Sequence, residues 1–355
     1  MVSKFKKIIG LVLLIPSIAI ANVSEFQLDN GLKLIVKEDH RAPVVVSQVW
    51  YKVGSSYEHN GLTGISHMLE HMMFKGTENL GPNEFSQIIA ANGGSENAFT
   101  GRDYTAYFQT LEKDRLKVSF RLEAERMRKL VIDDAELVKE REVVAEERRM
   151  RTEDDPHALV REAFNATAFV NSPYHHPVIG WMSDINNYQA NDLRQWYQKW
   201  YAPNNATVVV VGDVEPDAVY ALAKQYFGPL KPEKTALLKP QVEVKQRGKR
   251  TVNVNAPAEL PYMMMGWKVP VVNTATEQQA WEPYALEVLA GILDGGDSAR
   301  FSRDLVRGSQ IAAGVSAGYD LFSRLADMFL IAGTPVKGKT LAELQQAVLD
   351  QITQL

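Results

Sequence analysis

The sequence has no cysteine among its 355 residues, which excludes disulfides, thiolate metal sites, iron–sulfur clusters and cysteine nucleophiles. It also lacks a net basic charge, because 39 Lys and Arg residues are set against 43 Asp and Glu residues, and this argues against a nucleic-acid partner. Histidine is scarce as well, with 7 residues. Any metal site must therefore be built from His, Asp or Glu side chains.

The N-terminal segment has the pattern of an export signal. Three lysines precede an apolar run over residues 8–15, and Ala19 and Ala21 are the small residues that a signal peptidase recognises. The run is too short to span about 30 Å of hydrocarbon comfortably. We expect a signal peptide over residues 1–21, a periplasmic location rather than secretion, and no stable membrane anchor after cleavage. An uncleaved anchor or a buried first strand is the alternative.

Strand and helix patterns then follow each other without strict alternation, which indicates an α+β fold with helices on a mostly antiparallel sheet. Strands are predicted at 32–36, 44–51, 95–110 and 207–211. The strand at 44–51 is apolar enough to be buried on both faces. Helices are predicted at 65–74, 82–91, 113–128, 134–151 and 192–200.

A segment rich in Lys, Pro and Gln at 233–250 predicts a linker between two domains, 22–232 and 251–355. The second domain repeats the element order of the first. Its strands are predicted at 262–269, 311–319 and 328–334, and its helices at 277–293, near 301 and from 341 onwards. The first copy runs on for about another hundred residues past the equivalent point, so we expect two homologous domains of which the second is incomplete.

The strongest chemical pattern is His67-Met68-Leu69-Glu70-His71. Residues four apart lie on one face of a helix, so the two imidazoles can bind one metal ion while Glu70 borders that face. This spacing suits zinc, and the glutamate can accept a proton from a zinc-bound water. The order is the inverted His-x-x-Glu-His motif. The alternative is a pair of structural histidines on an amphipathic core helix.

A catalytic zinc ion usually has three protein ligands, so a third must come from Asp, Glu or another His. The charged helix predicted at 134–151 offers several glutamates. Glu140 and Glu147 are nearly two turns apart and share a stripe with Val143 and Val144, which predicts that this stripe faces inward. The alternative is that the whole helix is a solvated charged rod.

These motifs resemble the pitrilysin/insulinase family of zinc peptidases, in its shorter processing-peptidase-like branch. Further segments that carry the resemblance are 31–34, 54–58, 64–67, 74–77, 97–100, 173–180 and 211–214. The resemblance implies that one zinc ion per chain is bound by His67, His71 and Glu147. It also implies that Glu70 is the general base and that Glu140 supports the site from the same helix as Glu147.

The resemblance further implies that a strand formed by Asn97, Ala98, Phe99 and Thr100 borders the substrate. A peptide that lay extended along this strand would bind through main-chain hydrogen bonds. The two similar halves of the family close as a clamshell, which suits unstructured peptides. The alternative is that the strand is only a part of the core sheet.

The second half departs from the family pattern at one point. There the family has an Arg, and seven residues later a Tyr, that assist the substrate carbonyl. Here Arg307 is present as a substrate-binding candidate, but Gly314 stands where the Tyr would be. We therefore expect a homodimer, or a heterodimer with a related subunit that supplies an Arg/Tyr pair. The alternative is that Arg307 is a surface residue and the pair is dispensable.

The sequence thus predicts an exported zinc endopeptidase that cleaves extended, unstructured peptides with Glu70 as general base. One alternative is a peptide-binding or scaffolding subunit of a heterodimeric peptidase with little activity alone, and another is zinc storage or transfer. The adjacent pair His175-His176, flanked by two prolines, is expected to be structural.

Overall fold

The computed structural model describes residues 23–234 and 238–355, so the predicted signal peptide lies outside the described residues. The N-terminal part is organised by a six-stranded sheet. Its strands are β1 (Val23–Gln27), β2 (Lys33–Glu38), β3 (Val44–Tyr51), β4 (Ser95–Thr100), β5 (Thr105–Glu112) and β6 (Ala206–Gly212). Their spatial order is β1-β2-β6-β3-β5-β4, and every neighbouring pair is antiparallel except β2 and β6. The mostly antiparallel sheet is therefore confirmed.

Two strand predictions need correction. Residues 95–110 form two strands, because the chain reverses between β4 and β5, where the Gly101 amide donates to the Tyr104 carbonyl at 2.8 Å. The alternation of side chains continues across this turn, so the sequence pattern resembles one long strand. β3 is fully buried on one face only: Val45, Val49 and Tyr51 are buried, whereas their neighbours are partly exposed.

Helices of this part pack on the sheet and connect its strands. They are α1 (Ile65–Met72), α2 (Glu84–Ala91), α3 (Leu116–Lys129), α4 (Asp134–Arg148), α5 (Pro156–Ala168), α6 (Met182–Ile185), α7 (Ala190–Trp200) and α8 (Pro216–Tyr226). After Arg148 the chain continues as a π-helical segment, Arg149–Glu153. Sequence reasoning missed α5, α6 and α8. α5 has Leu159, Val160, Ala163, Phe164 and Ala168 at helical spacing, but none of its residues is fully buried.

α1 occupies a central position. It packs against α4, α7, β4 and β5, and most of its residues are buried. The core beneath it consists of β-branched and aliphatic side chains from the central strands, among them Val36, Val49, Val208 and Val210. Burial of such side chains supplies about 1.5–3 kcal/mol each relative to exposure, so α1 is held rigidly.

The C-terminal part has a second, three-stranded antiparallel sheet in the order β7-β9-β8. Its elements are β7 (Met263–Val269), α9 (Glu282–Asp294), a π-helical segment (Phe301–Gly308), β8 (Ala312–Gly318), β9 (Asp327–Pro335) and α10 (Leu341–Thr353). The predicted element order is confirmed, whereas the domain boundaries at 232 and 251 stay a prediction. None of the helices in the described ranges combines the length and apolar character needed to cross a bilayer.

The turn between β4 and β5 is bound to the C-terminal part. Arg324 donates to Asp103 at 3.0 Å, Tyr174 donates to the other oxygen of Asp103 at 2.5 Å, and Arg102 lies 3.2 Å from a carboxylate oxygen of Asp327. Partly buried charge-assisted hydrogen bonds of this kind are stronger than neutral ones. This junction therefore fixes one end of β4 in place.

Candidate metal centre

The start of α1 is held by a buried carboxylate. Glu58 accepts hydrogen bonds from the main-chain amides of Gly64, at 2.6 Å, and Ser66, at 2.9 Å, which have no partner inside the helix. Burial raises the pKa of Glu58 to about 7 against the effect of these bonds. Gly64 has φ +82°, and a Cβ there would lie 2.3 Å from the carbonyl oxygen of Ile179. Only glycine allows this close approach of the chain.

The structure brings both histidines of the motif to one glutamate. The rings of His67 and His71 lie 4.7 Å apart, as expected for residues one helical turn apart. His71 Nε2 lies 3.3 Å from one oxygen of Glu147, and His67 Nε2 lies 3.7 Å from the other. The three potential ligand atoms are all within 4.8 Å of one another. This places two imidazole nitrogens and a carboxylate around one point.

α4 supplies the glutamates from a helix that packs directly on α1. Glu140 and Val144 are buried, but Val143 is 50% exposed, so the prediction that Val143 faces inward is wrong. Val143 and Val144 flank the Glu140–Glu147 stripe on opposite sides, and only the side of Val144 faces the core. The stripe itself points toward α1, as predicted.

Glu140 orients His71. One oxygen of Glu140 lies 2.8 Å from His71 Nδ1, and the other accepts from Lys75 at 2.6 Å. An Nδ1–H that donates to Glu140 leaves Nε2 directed at Glu147, which is the arrangement found for metal-binding histidines. Burial lowers the pKa of His71, but the bonds to Glu140 and Glu147 outweigh burial and raise it to about 9. At neutral pH the ring would carry a proton on Nε2, and a metal ion would take the place of that proton.

His67 differs from His71 in its electrostatics. Burial and the neighbouring His71 lower its pKa to about 4, so His67 is neutral at physiological pH. Its Nδ1 atom is buried without a hydrogen-bond partner among the described residues. The hydrogen bond from His71 and the nearby imidazoles lower the pKa of Glu147, which also contacts Arg151 at 2.6 Å. A neutral imidazole beside an ionised carboxylate is the protonation state that metal binding requires.

Glu70 lies on the same helix and faces the edge strand. It accepts a hydrogen bond from Thr100 Oγ1 at 2.5 Å, and Thr100 ends β4. Burial raises the pKa of Glu70 above its ordinary value, against the effect of that hydrogen bond. A carboxylate with a raised pKa is better matched to proton transfer near neutral pH.

A cleft of about 790 Å³ opens over these residues. One wall is β4, which is the last strand of its sheet, so its outer edge pairs with no other strand in the described ranges. Asn97, Ala98, Phe99 and Thr100 all line the cleft. The facing side comes from α5, whose contribution the sequence did not reveal because α5 itself was missed.

Arg307 is the one predicted site residue that the structure does not bring to the cleft. It lies on the π-helical segment of the C-terminal part, where its guanidinium donates to the main-chain carbonyl of Asp297. Gly314 is on β8 with open space around its Cα. The substrate-binding role of Arg307 therefore stays a prediction that nothing in this arrangement supports.

The other histidines make local contacts. His175 Nδ1 lies 2.7 Å from the Ser172 carbonyl, and His176 Nε2 lies 3.0 Å from the Asn60 side-chain oxygen, although His176 also lines the cleft. These contacts agree with the predicted structural role. His40 lies near the partly exposed Glu38 and the exposed Glu215, but its Nδ1 atom is hydrogen-bonded to Asp213 at 2.6 Å, and we assign no metal to it.

Comparison with known proteins gives the family. Residues 33–180 match the family model described as insulinase (peptidase family M16), and residues 187–355 match the model described as peptidase M16 inactive domain. The chain belongs to the insulinase (peptidase M16) family. All of the proposed zinc ligands lie within the first of these two matched regions.

Members of the M16 family with similar sequences are named zinc proteases. The zinc protease PqqE of Helicobacter pylori is 37% identical over 331 residues, which cover 92% of this chain and 73% of that protein. An uncharacterized zinc protease of Mycobacterium leprae is 30% identical over 315 residues, covering 85% of this chain and 67% of that protein.

Solved structures agree with this assignment. The crystal structure of a protease from Helicobacter pylori superposes with a TM-score of 0.87 at 34% identity, covering 94% of this chain and 79% of that one. The periplasmic protease PqqL from Escherichia coli superposes with a TM-score of 0.73 at 22% identity, covering 88% of this chain and 35% of that one. The second similarity concerns the fold alone.

Proposed function

We propose that this chain is an exported zinc-dependent endopeptidase that cleaves extended peptides. The observation that carries the proposal is the convergence of His67, His71 and Glu147, with Glu70 beside them in an open cleft. Export rests on the pattern of residues 1–21. The family and the zinc proteases that resemble the chain support the peptidase assignment.

The residues present fit a zinc ion. Two imidazoles and one carboxylate form the donor set of several catalytic zinc sites, in which a fourth position stays free for water. His71 is oriented by Glu140, and a hydrogen-bonded carboxylate behind a ligating histidine raises its basicity. His71 Nε2 and His67 Nε2 lie 3.3 and 3.7 Å from the oxygens of Glu147, and such separations are compatible with one ion at the roughly 2 Å bond lengths of zinc.

The residues of the site then have different roles in peptide hydrolysis. The chemistry that a bound zinc ion supplies is Lewis acidity, which polarises a carbonyl and lowers the pKa of water to about 7. Glu70 takes a proton from the attacking water and returns it to the leaving amine. Thr100 donates to one oxygen of Glu70 and leaves the other free for this transfer. Glu140 and Lys75 hold His71 in the ligating orientation.

Substrate binding is assigned to the free edge of β4. An extended peptide can add to an unpaired edge as a further strand, held by main-chain hydrogen bonds to Asn97, Ala98, Phe99 and Thr100. This mode selects unstructured segments, because a folded substrate cannot offer a free backbone. It also places the peptide beside Glu70 at the end of the strand.

The test is Glu70→Gln in the purified mature chain. We expect bound zinc to remain at one ion per chain by elemental analysis, while cleavage of an unstructured peptide falls by about 100- to 10,000-fold. Glu136→Gln is the matched control, because Glu136 is on α4 outside the cleft and pairs with Lys139. Cleavage by the Glu70 variant at the normal rate would refute the assignment of the base.

A subunit of a larger peptidase is the second candidate, and the position of Arg307 outside the cleft favours it. In that case a second copy or a related subunit would provide the Arg/Tyr pair. Assays of peptide cleavage by the chain alone, and after mixing with a related subunit, distinguish the two candidate functions. Full activity of the chain alone would exclude the subunit role.

A further inference from the structure

α5 turns one face into the cleft. The residues that line the cleft from this helix are Ala158, Arg161, Glu162 and Asn165. Their spacing of three and four residues corresponds to a single helical face. α5 thus forms a continuous wall, and a peptide lying on β4 would run between this wall and the strand.

Arg161 differs from the other cations of the cleft. Each of the others contacts a carboxylate: Lys75 lies 2.6 Å from Glu140, Arg151 lies 2.6 Å from Glu147, and Arg102 lies 3.2 Å from Asp327. The side chain of Arg161 makes no ion pair or hydrogen bond within the described ranges, and it is exposed.

The neighbouring carboxylate does not neutralise Arg161. Glu162, the next residue along α5, accepts two hydrogen bonds from Arg148, at 2.8 and 2.9 Å. This bidentate contact uses both oxygens of Glu162. The wall that α5 presents to the cleft therefore carries one uncompensated positive charge, located on Arg161.

A guanidinium of this kind favours a carboxylate in the substrate. Its planar fork of donors matches a carboxylate in a two-bond geometry, whereas a neutral amide offers one uncharged acceptor and a cationic side chain offers none. In an extended peptide every second side chain points to the same side, so one set of side chains would face α5. We propose that Arg161 is a specificity residue that binds a carboxylate of the peptide, on an Asp or Glu side chain or at the C-terminus. This inference rests on the peptidase function proposed above.

The test compares matched quenched-fluorescent peptides that differ only by Glu or Gln at one position, scanned along the peptide, each with a free or an amidated C-terminus. For the unmodified chain we expect a preference of about tenfold in kcat/KM for the carboxylate at one position, reduced by added salt. Arg161→Gln should remove the preference, Arg161→Glu should reverse it, and Arg161→Lys should retain a part of it. The two forms of the C-terminus distinguish a side-chain carboxylate from a terminal one.

Arg149→Gln is the matched control, because Arg149 is an exposed arginine of the same region that pairs with Glu146 and does not line the cleft. It should keep the full preference. The proposal is overturned if the unmodified chain shows no preference at any position, or if Arg161→Gln retains it. If the chain cleaves none of the peptides, the peptidase function fails, and equilibrium binding of the same labelled Glu and Gln peptides to the chain and to Arg161→Gln then decides the role of Arg161.

Discussion

The two sheets of this chain repeat one arrangement and differ in what they carry. The order β3-β5-β4 recurs as β7-β9-β8, and in each case a helix follows the first strand, α1 in one and α9 in the other. α1 buries Ser66, His67 and Glu70, whereas α9 buries only Pro283 and Leu293 fully and contains no histidine. The same topology therefore carries the candidate metal ligands in one copy, whereas the equivalent helix of the other copy carries no histidine.

The cores beneath the two sheets also differ, because the first contains buried charged side chains. α3 carries a fully buried ion pair, Arg126–Glu123 at 2.5 Å, which Gln109 extends through a hydrogen bond to Glu123. The corresponding helix α10 buries Leu344, Val348 and Gln351, and none of these is charged. The buried charges of the first copy depend on each other, so we expect this copy to be more sensitive to the loss of one of them.

Among the substitutions that we consider, Glu147→Gln in the first copy should have the largest effect. A neutral amide is a poor zinc ligand, so we expect zinc content far below one ion per chain and at least about a 100-fold loss of peptide cleavage, more than the loss of an outer partner produces. Elemental analysis and peptide hydrolysis measure the two effects. Glu146→Gln, at an exposed position that pairs with Arg149, should change neither. Normal zinc content in the Glu147 variant would contradict the ligand assignment.

The next effect concerns the core of the first copy. Glu123→Gln leaves the Arg126 guanidinium buried without its counter-charge, and we expect a loss of about 3–5 kcal/mol in the free energy of unfolding by urea. Glu343→Gln on α10 is the matched change in the second copy. Glu343 is exposed, and glutamine can replace it in the capping box with Thr340, so the loss there should stay below about 1 kcal/mol. Equal losses would show that burial adds nothing to the contribution of the Glu123–Arg126 pair.

A smaller loss is expected at the start of α1. Gly64→Ala introduces a Cβ only 2.3 Å from a carbonyl oxygen at a φ of +82°, and such overpacking costs about 1–3 kcal/mol. Gly61→Ala separates the two causes, because Gly61 has φ +93° but no atom within 4 Å of the added Cβ. Its cost should be close to the conformational strain alone, about 1–2 kcal/mol. A Gly64 variant as stable as the unmodified chain in urea unfolding would contradict the close approach.

The second copy should gain from a similar change. Gly291 lies inside α9, has no left-handed φ, and has open space around its Cα. Gly291→Ala should therefore stabilise the chain by about 0.5–1 kcal/mol through helix propensity. Urea unfolding measures the difference, and a destabilised variant would mean that α9 is packed more tightly on that side than its exposure indicates.

Much of the site could be predicted from the sequence because three of its residues lie close together along the chain. His67, Glu70 and His71 lie on one helical turn, and helix geometry alone places the two imidazoles together. Glu140 and Glu147 share a stripe for the same reason, yet their role came only with the family resemblance, since nothing local relates α4 to α1. The placement of Val143 failed because periodicity specifies a stripe but not which of its flanks meets the core.

α5 and Arg161 could not be found in this way. The face of α5 that lines the cleft is mostly polar, and no pattern along the chain relates it to β4. The separation of Arg307 from the cleft depends equally on the position of the second sheet. Periodicity along the chain was sufficient for most of the helices and strands and for the paired histidines, since these depend on neighbours a few residues away. The third ligand, the free edge of β4 and the unpaired arginine depend on which distant surfaces meet, and packing in three dimensions selects those contacts.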